Sequence, residues 1–167
     1  PETFADYARD LAKKHSINCK IIDEQDMKKI GLNLIYDVGK GSKYKPRLVI
    51  LTYNGASSSK EKIALVGKGV TFDSGGINLK TGDYISTMRS DMAGAATVLA
   101  TTLVAAQLKL KKNIVCLMPL VENMISPDAY KPGDIIKAYD GTSVEVANTD
   151  AEGRLILGDT VAYAERN

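Results

Sequence analysis

Histidine and cysteine, the usual zinc ligands, are scarce in this chain: its 167 residues include one histidine, His15, and two cysteines, Cys19 and Cys116. His15 lies at a charged helix end with no second histidine to join it, which excludes the usual histidine-based zinc arrangement. Neither cysteine has a Cys-x-x-Cys partner, which argues against a zinc knuckle or a dithiol redox motif. Both sit in apolar strand contexts and read as buried, reduced thiols, the state expected of a cytoplasmic protein. Excess charge is also lacking, with 22 Lys and Arg against 20 Asp and Glu, net +2 and a pI near 8.6. The lysines are scattered, and the run Lys109, Lys111, Lys112 reads as a solvated helix end, so no nucleic-acid partner is expected. No apolar run is long enough to span a membrane and no signal-peptide pattern is visible, so no membrane partner is expected either.

What remains is an ordinary globular composition, 44% hydrophobic and 25% charged, on a chain long enough for one domain with a sizeable core. Residues 3–15 carry apolar side chains at helical spacing, with Thr3 as N-cap. A short strand at 19–22 and a helix at 23–30 ended by Gly31 follow, then a strand at 32–38. Apolar runs at 47–53, 62–66 and 114–120 suit interior strands covered on both faces. Between the last two, 92–108 reads as a small-residue helix, apolar nearly all round and so buried between layers. Residues 135–139 and 143–146 flank Asp140-Gly141 as a hairpin with a type I′ turn. A final helix occupies 155–165. The alternation implies an α/β fold, a mixed and mostly parallel sheet flanked by helices. The absence of closing strands implies one domain, 1–167, belonging to a longer enzyme, with a helical lead-in at 1–31 and the chemistry in 32–167.

Three polar clusters interrupt this pattern. The first, Val66-Gly67-Lys68-Gly69-Val70-Thr71-Phe72-Asp73-Ser74-Gly75-Gly76, follows a strand, where α/β sheets bind ligands. Its spacing matches neither a phosphate loop nor a dinucleotide fingerprint, and a structural glycine turn remains an alternative. The second, Met88-Arg89-Ser90-Asp91-Met92, places Asp91 at a helix start, where alone it reads as an N-cap. Lys80, alone, reads as a surface lysine. The third is Asn148-Thr149-Asp150-Ala151-Glu152-Gly153-Arg154. In an extended segment Asp150 and Glu152 would point to one side, with Arg154 near them as a charge partner. Asp73, Asp91, Asp150 and Glu152 together would repel unless cations intervened, and two divalent ions would balance them.

These three segments resemble, in order, the signature segments of the leucyl aminopeptidase family of dizinc exopeptidases. Asn33, Tyr36 and Asp37 depart from the family pattern. The resemblance implies a metal ligand set of Lys68, Asp73, Asp91, Asp150 and Glu152. In it Lys68 is a nitrogen ligand of the more exchangeable ion, Asp91 binds the same ion, and Asp150 binds the tighter ion. Asp73 and Glu152 bridge the two. It also implies catalytic roles for Lys80, facing the scissile carbonyl, and for Arg154, holding a bicarbonate general base. Met88, Asn148 and Ala151, with Lys80, would line the substrate pocket. The implied cofactors are two divalent ions per subunit (Zn²⁺, or Mn²⁺, Mg²⁺ or Co²⁺) and bicarbonate. The implied activity is release of N-terminal, leucine-like residues from peptides by a cytoplasmic homohexamer. The alternatives are a folded but inactive piece of such an enzyme and, less favoured, a phosphate-binding module.

Overall fold

The computed structural model describes all residues, Pro1–Asn167. Helices α1 (Glu2–Lys14), α2 (Glu24–Ile30), α3 (Asn33–Gly39), α4 (Ala93–Gln107) and α5 (Glu152–Arg166) surround one main sheet. The sheet comprises β1 (Asn18–Ile22), β2 (Arg47–Asn54), β3 (Ile63–Val66), β4 (Gly69–Asp73) and β5 (Asn113–Asn123), and β6 (Ile135–Lys137) with β7 (Ser143–Glu145) forms a separate hairpin. The order is β1-β2-β5-β3, with β4 also on β5. β1/β2 and β2/β5 pair antiparallel, whereas β3 and β4 pair parallel with β5. The fold is thus a mixed sheet between helical layers.

Strand periodicity builds the layers. On β2, Leu48 and Ile50 enter one core while Val49 and Leu51 enter the other. On β5, Leu117 and Val121 join the first, and Cys116, Met118 and Leu120 the second. The first core packs under α2, α3 and α5 through Met27, Ile35, Val38 and Ile156. The second packs under α1 and α4 through Ala5, Ala8, Ala12 and Leu99. The central position of β5 explains its long apolar run, and β3, at an edge, leaves Ile63 exposed. No helix is long and apolar enough to cross a membrane.

Four local expectations are corrected. Residues 32–38 are not a strand: α3 buries Leu34, Ile35 and Val38, spaced at i, i+1 and i+4. No local side chain caps α3. Instead Asp159, fully buried on α5, accepts from the backbone N–H groups of Leu34 (2.8 Å), Ile35 (3.3 Å) and Tyr139 (2.8 Å). Such a tertiary cap is invisible to a local reading. Helix α4 is not buried all round, since Ala95, Leu99, Thr102 and Ala105 face the sheet while Val104 is exposed. The hairpin turn is not type I′, because Gly141 has φ 96° but Asp140 has no positive φ. Ala138 O accepts from Gly141 N, and Ala138 N donates to Thr142 O, a three-residue loop with glycine in the left-handed position. Finally, α1 starts at Glu2 after Pro1, not behind a Thr3 cap.

The three unusual residues of the 31–39 segment each find a partner. Asn33 Nδ2 donates to Lys137 O at 2.8 Å, the Lys28 ammonium sits 4.2 Å from the Tyr36 ring centroid, and Lys40 pairs with Asp37 at 2.6 Å.

Asp159→Ala would strand three backbone donors, so urea denaturation is expected to show a loss of about 2–4 kcal/mol. Burial pushes the Cys116 thiol up to about 11, opposed by a hydrogen bond with Thr102. Its thiolate fraction at pH 8 is then about one in a thousand. A thiol reagent should label the half-buried Cys19 well before Cys116 in the native chain.

Candidate metal centre

The site grows from a break in an edge strand. β3 pairs with β5 from Ile114 to Leu117, and β4 resumes alongside from Leu120 to Asn123. Gly67 and Lys68 fill the gap. Gly67 N donates to Leu117 O (3.0 Å), and Lys68 O accepts from Ala95 N in the first turn of α4 (2.8 Å). The backbone of Lys68 is therefore fixed on both sides. Because β4 runs parallel to β5, their carboxyl ends lie together, and Asp73 stands opposite Asn123.

Two lysine-centred arms meet there. Lys68 Nζ lies 2.8 Å from Asp91 Oδ2 and 2.7 Å from Glu152 Oε1. Lys80 Nζ lies 2.9 Å from Asp73 Oδ2 and 2.5 Å from Asp150 Oδ1. Oxygen atoms of Asp73, Asp91 and Glu152 all fall within 4.8 Å of one another. The four carboxylates predicted from sequence are thus brought together with both predicted lysines. With all four acids ionised, four negative charges against two positive give the cluster a formal charge of −2.

Burial sharpens the electrostatics. Burial disfavours charge on Lys68, but its hydrogen bonds to Asp91 and Glu152 outweigh this and hold its pKa above the ordinary lysine value. The Lys80 ammonium, also partly desolvated, is held still more firmly protonated by Asp150 and Asp73. Glu152 is 1% exposed, and burial raises its pKa, with Asp73 reinforcing and Lys68 opposing. Its second oxygen, Oε2, is buried without a hydrogen-bond partner. An orphaned carboxylate oxygen among crowded acids fits a hard or borderline cation. Lys68 fits as a nitrogen donor only after losing its proton.

The local geometry of 148–154 differs from the extended segment expected. Thr149–Ala151 is a 3-10 turn, and Glu152 is the first residue of α5. Asn148 Oδ1 accepts from Asp150 N at 2.7 Å and caps the turn. Asp150 and Glu152 therefore reach different lysines, and both profit from the positive end of α5. Arg154 is two residues along the helix from Glu152, about 200° round its axis. It is exposed and joins neither lysine-centred arm, so it is not the charge partner of Asp150 or Glu152.

The other predicted residues divide between two adjoining cavities. Lys80, Met88, Asn148 and Asp150 border one of about 390 Å³. Asn148, Asp150, Ala151 and Arg154 border another of about 660 Å³, which runs towards the β6–β7 hairpin. Asp91 is not the N-cap of α4, for Met92 holds that position and Asp91 turns to Lys68 instead.

Sequence reasoning missed the residues that hold this arrangement. Thr149 Oγ1 donates to Gly75 O (2.7 Å) and accepts from Asn78 N (2.9 Å), while Asn78 Oδ1 accepts from Thr149 N (2.8 Å). Thr149 O accepts from Tyr130 OH (2.6 Å) and Asn123 Nδ2 (3.0 Å). The one local signal was Asn123, a polar residue closing an apolar strand.

The catalytic-domain model of the cytosol aminopeptidase family matches residues 1–167. The chain belongs to the cytosol aminopeptidase family. Relatives each described as "Probable cytosol aminopeptidase" agree with it closely. That of Corynebacterium diphtheriae is 48% identical over 167 residues, covering 100% of this chain and 33% of the relative. That of Aquifex aeolicus is 47% identical over 164 residues (98% and 33%). That of Syntrophotalea carbinolica is 46% identical over 166 residues (99% and 33%). The chain therefore spans about a third of the length of the curated relatives it matches.

Lys68 also explains a glycine of the family segment. A Cβ on Gly153 would lie 3.0 Å from Lys68 Cδ, Cε and Nζ. Gly153→Ala should gain up to about 1 kcal/mol of helix propensity yet push the Lys68 ammonium aside by a few tenths of an ångström. A thermal midpoint that holds or rises, with weaker Zn²⁺ binding in chelator competition, is the expected pair of results.

Proposed function

We propose that this chain carries the metal centre of a metal-dependent aminopeptidase that removes N-terminal, leucine-like residues from peptides. The observation that supports this best is the crowding of Asp73, Asp91 and Glu152 around an unpartnered oxygen in a member of the cytosol aminopeptidase family. Lys68, Asp73, Asp91, Asp150 and Glu152 would hold two divalent ions, with Zn²⁺, Mn²⁺, Mg²⁺ and Co²⁺ all suited to an oxygen-rich site. When bound, they supply Lewis acidity and a water that ionises near neutral pH.

The chain's own residues do the rest. Lys80 presents a firmly protonated ammonium in the cavity it shares with Met88 and Asn148, where it meets negative charge developing on the scissile carbonyl oxygen. Asp73 and Asp150 orient that ammonium. Arg154, unclaimed by the carboxylate cluster and lining the adjoining cavity, has a guanidinium suited to holding bicarbonate as general base. Met88, Asn148 and Ala151 supply wall around the substrate's amino end. The lysine that ligates must be neutral and the lysine that stabilises charge must not, so the two differ in the proton each carries. A cytoplasmic setting and a homohexamer in the whole protein complete the proposal. The competing reading, a folded but inactive piece, draws on the fact that both lysines already engage the acids.

Hydrolysis of a leucyl chromogenic amide is expected, abolished by chelation and restored by Zn²⁺, Mn²⁺ or Co²⁺. Metal binding without turnover, alongside turnover by a longer chain, favours the inactive piece. Glu152→Gln should lower metal content by elemental analysis; unchanged content sinks the ligand assignment. Lys80→Met should cut kcat by about 10²–10³-fold while sparing metal content. Equal loss of both means that the two lysines have been assigned the wrong way round.

A further inference from the structure

Asn123 closes the central strand β5 and is completely buried. Its Nδ2 donates to Asp73 Oδ1 at 2.9 Å and to Thr149 O at 3.0 Å. Both partners are acceptors only, so chemistry dictates which end of the amide faces them. One –NH₂ group thus joins the carboxylate at the end of β4 to the peptide that introduces Asp150 and Glu152. These two halves of the centre lie far apart in sequence and share no strand pairing. Gly75 N also donates to Asp73 Oδ1 (2.9 Å), so this oxygen is doubly held and Oδ2 is left to face Lys80. Tyr130 OH supplies the second donor to Thr149 O, but does not hydrogen-bond Asp73.

We infer that Asn123 is a positioning residue for the metal centre: through Asp73 and Thr149 it sets the spacing between the β4 carboxylate and the acids at the head of α5. This rests on the proposed metal centre and adds to it the group that holds its two halves in register. Groups that orient ligands from outside the coordination sphere typically contribute 10–100-fold to metal affinity. The informative variant is Asn123→Asp. It keeps shape and volume but replaces the paired donors with, at most, one acid proton for two acceptors.

The test is Co²⁺ binding to the full chain, followed by the visible absorption of the bound ion and by chelator competition, with circular dichroism as the folding control. N123D is expected to bind Co²⁺ about 10–100-fold more weakly and with an altered spectrum. Tyr130→Phe, which leaves Asp73 held, is expected to lose less than about a tenth as much. If N123D binds as well as the unsubstituted chain, or more tightly because of its added negative charge, the positioning role is overturned. Equal losses in N123D and Y130F overturn the part assigned to Asp73. If N123D does not fold, Y130F must still show its small loss with an unchanged spectrum, and a large loss there overturns the inference. Failure of the unsubstituted chain to bind Co²⁺ overturns the metal centre itself and is seen before any variant is made.

Discussion

Repulsion among crowded carboxylates, two of them buried, is the constraint around which this molecule is arranged. Two unit charges 4.8 Å apart, the outer limit for Asp73, Asp91 and Glu152, repel by about 3–4 kcal/mol at an effective dielectric near 20. Three such pairs amount to about 10 kcal/mol, comparable with the whole stability of a domain. Two lysines offset much of this. Neither is free to swing away: the Lys68 backbone is fixed between β5 and α4, and Lys80 is tied through its own N–H to Ser74 O at 2.9 Å. A cluster whose formal charge is −2 after both lysines are counted has room for further positive charge, and that is the physical content of the metal reading.

The sheet brings these charges together. A continuous strand in place of β3 and β4 would point alternate side chains to opposite faces and leave no place for a lysine to turn out. The break at Gly67-Lys68 releases Lys68 towards α5, and the parallel pairing of β4 delivers Asp73 beside Asn123. The second helical layer is equally involved, since the head of α4 donates Ala95 N–H to Lys68 O and Asp91 lies just before it. Strand β5 is therefore the reference for both halves of the site, being the one strand paired with β2, β3 and β4.

The sequence was most legible where a single element decided the outcome. The apolar runs of β2 and β5 and the αL stop at Gly31 are local signals, and the structure contains them. The carboxylates and lysines of the centre were legible because short motifs carry them. What could not be read depends on distant partners. α3 looks like a strand until Asp159, more than 120 residues away, caps it. The Thr149 clamp joins positions 71 residues apart in Asn78 and 26 apart in Asn123. Asp150 and Glu152 were misjudged for another reason: convergence was inferred from an extended backbone, whereas a turn running into a helix brings them to the same cluster by a different path.

Helix α5 ties stability to chemistry. Glu152 and Asp159 are seven residues apart, two turns on one buried face that also carries Leu155, Ile156 and Tyr163. Asp159 anchors this face to α3 and the hairpin, while Glu152 presents a carboxylate to Lys68. Both acids are fully desolvated and both resist ionisation for that reason, yet they are satisfied differently. Asp159 has backbone donors on both of its oxygens, two on Oδ2 and one on Oδ1. Glu152 keeps one oxygen without a donor. Buried acids on the same helical face can thus be told apart by their unused acceptor capacity. The opposite face carries Arg154 outward into the larger cavity, so the helix that buries an acid on one side exposes a guanidinium on the other.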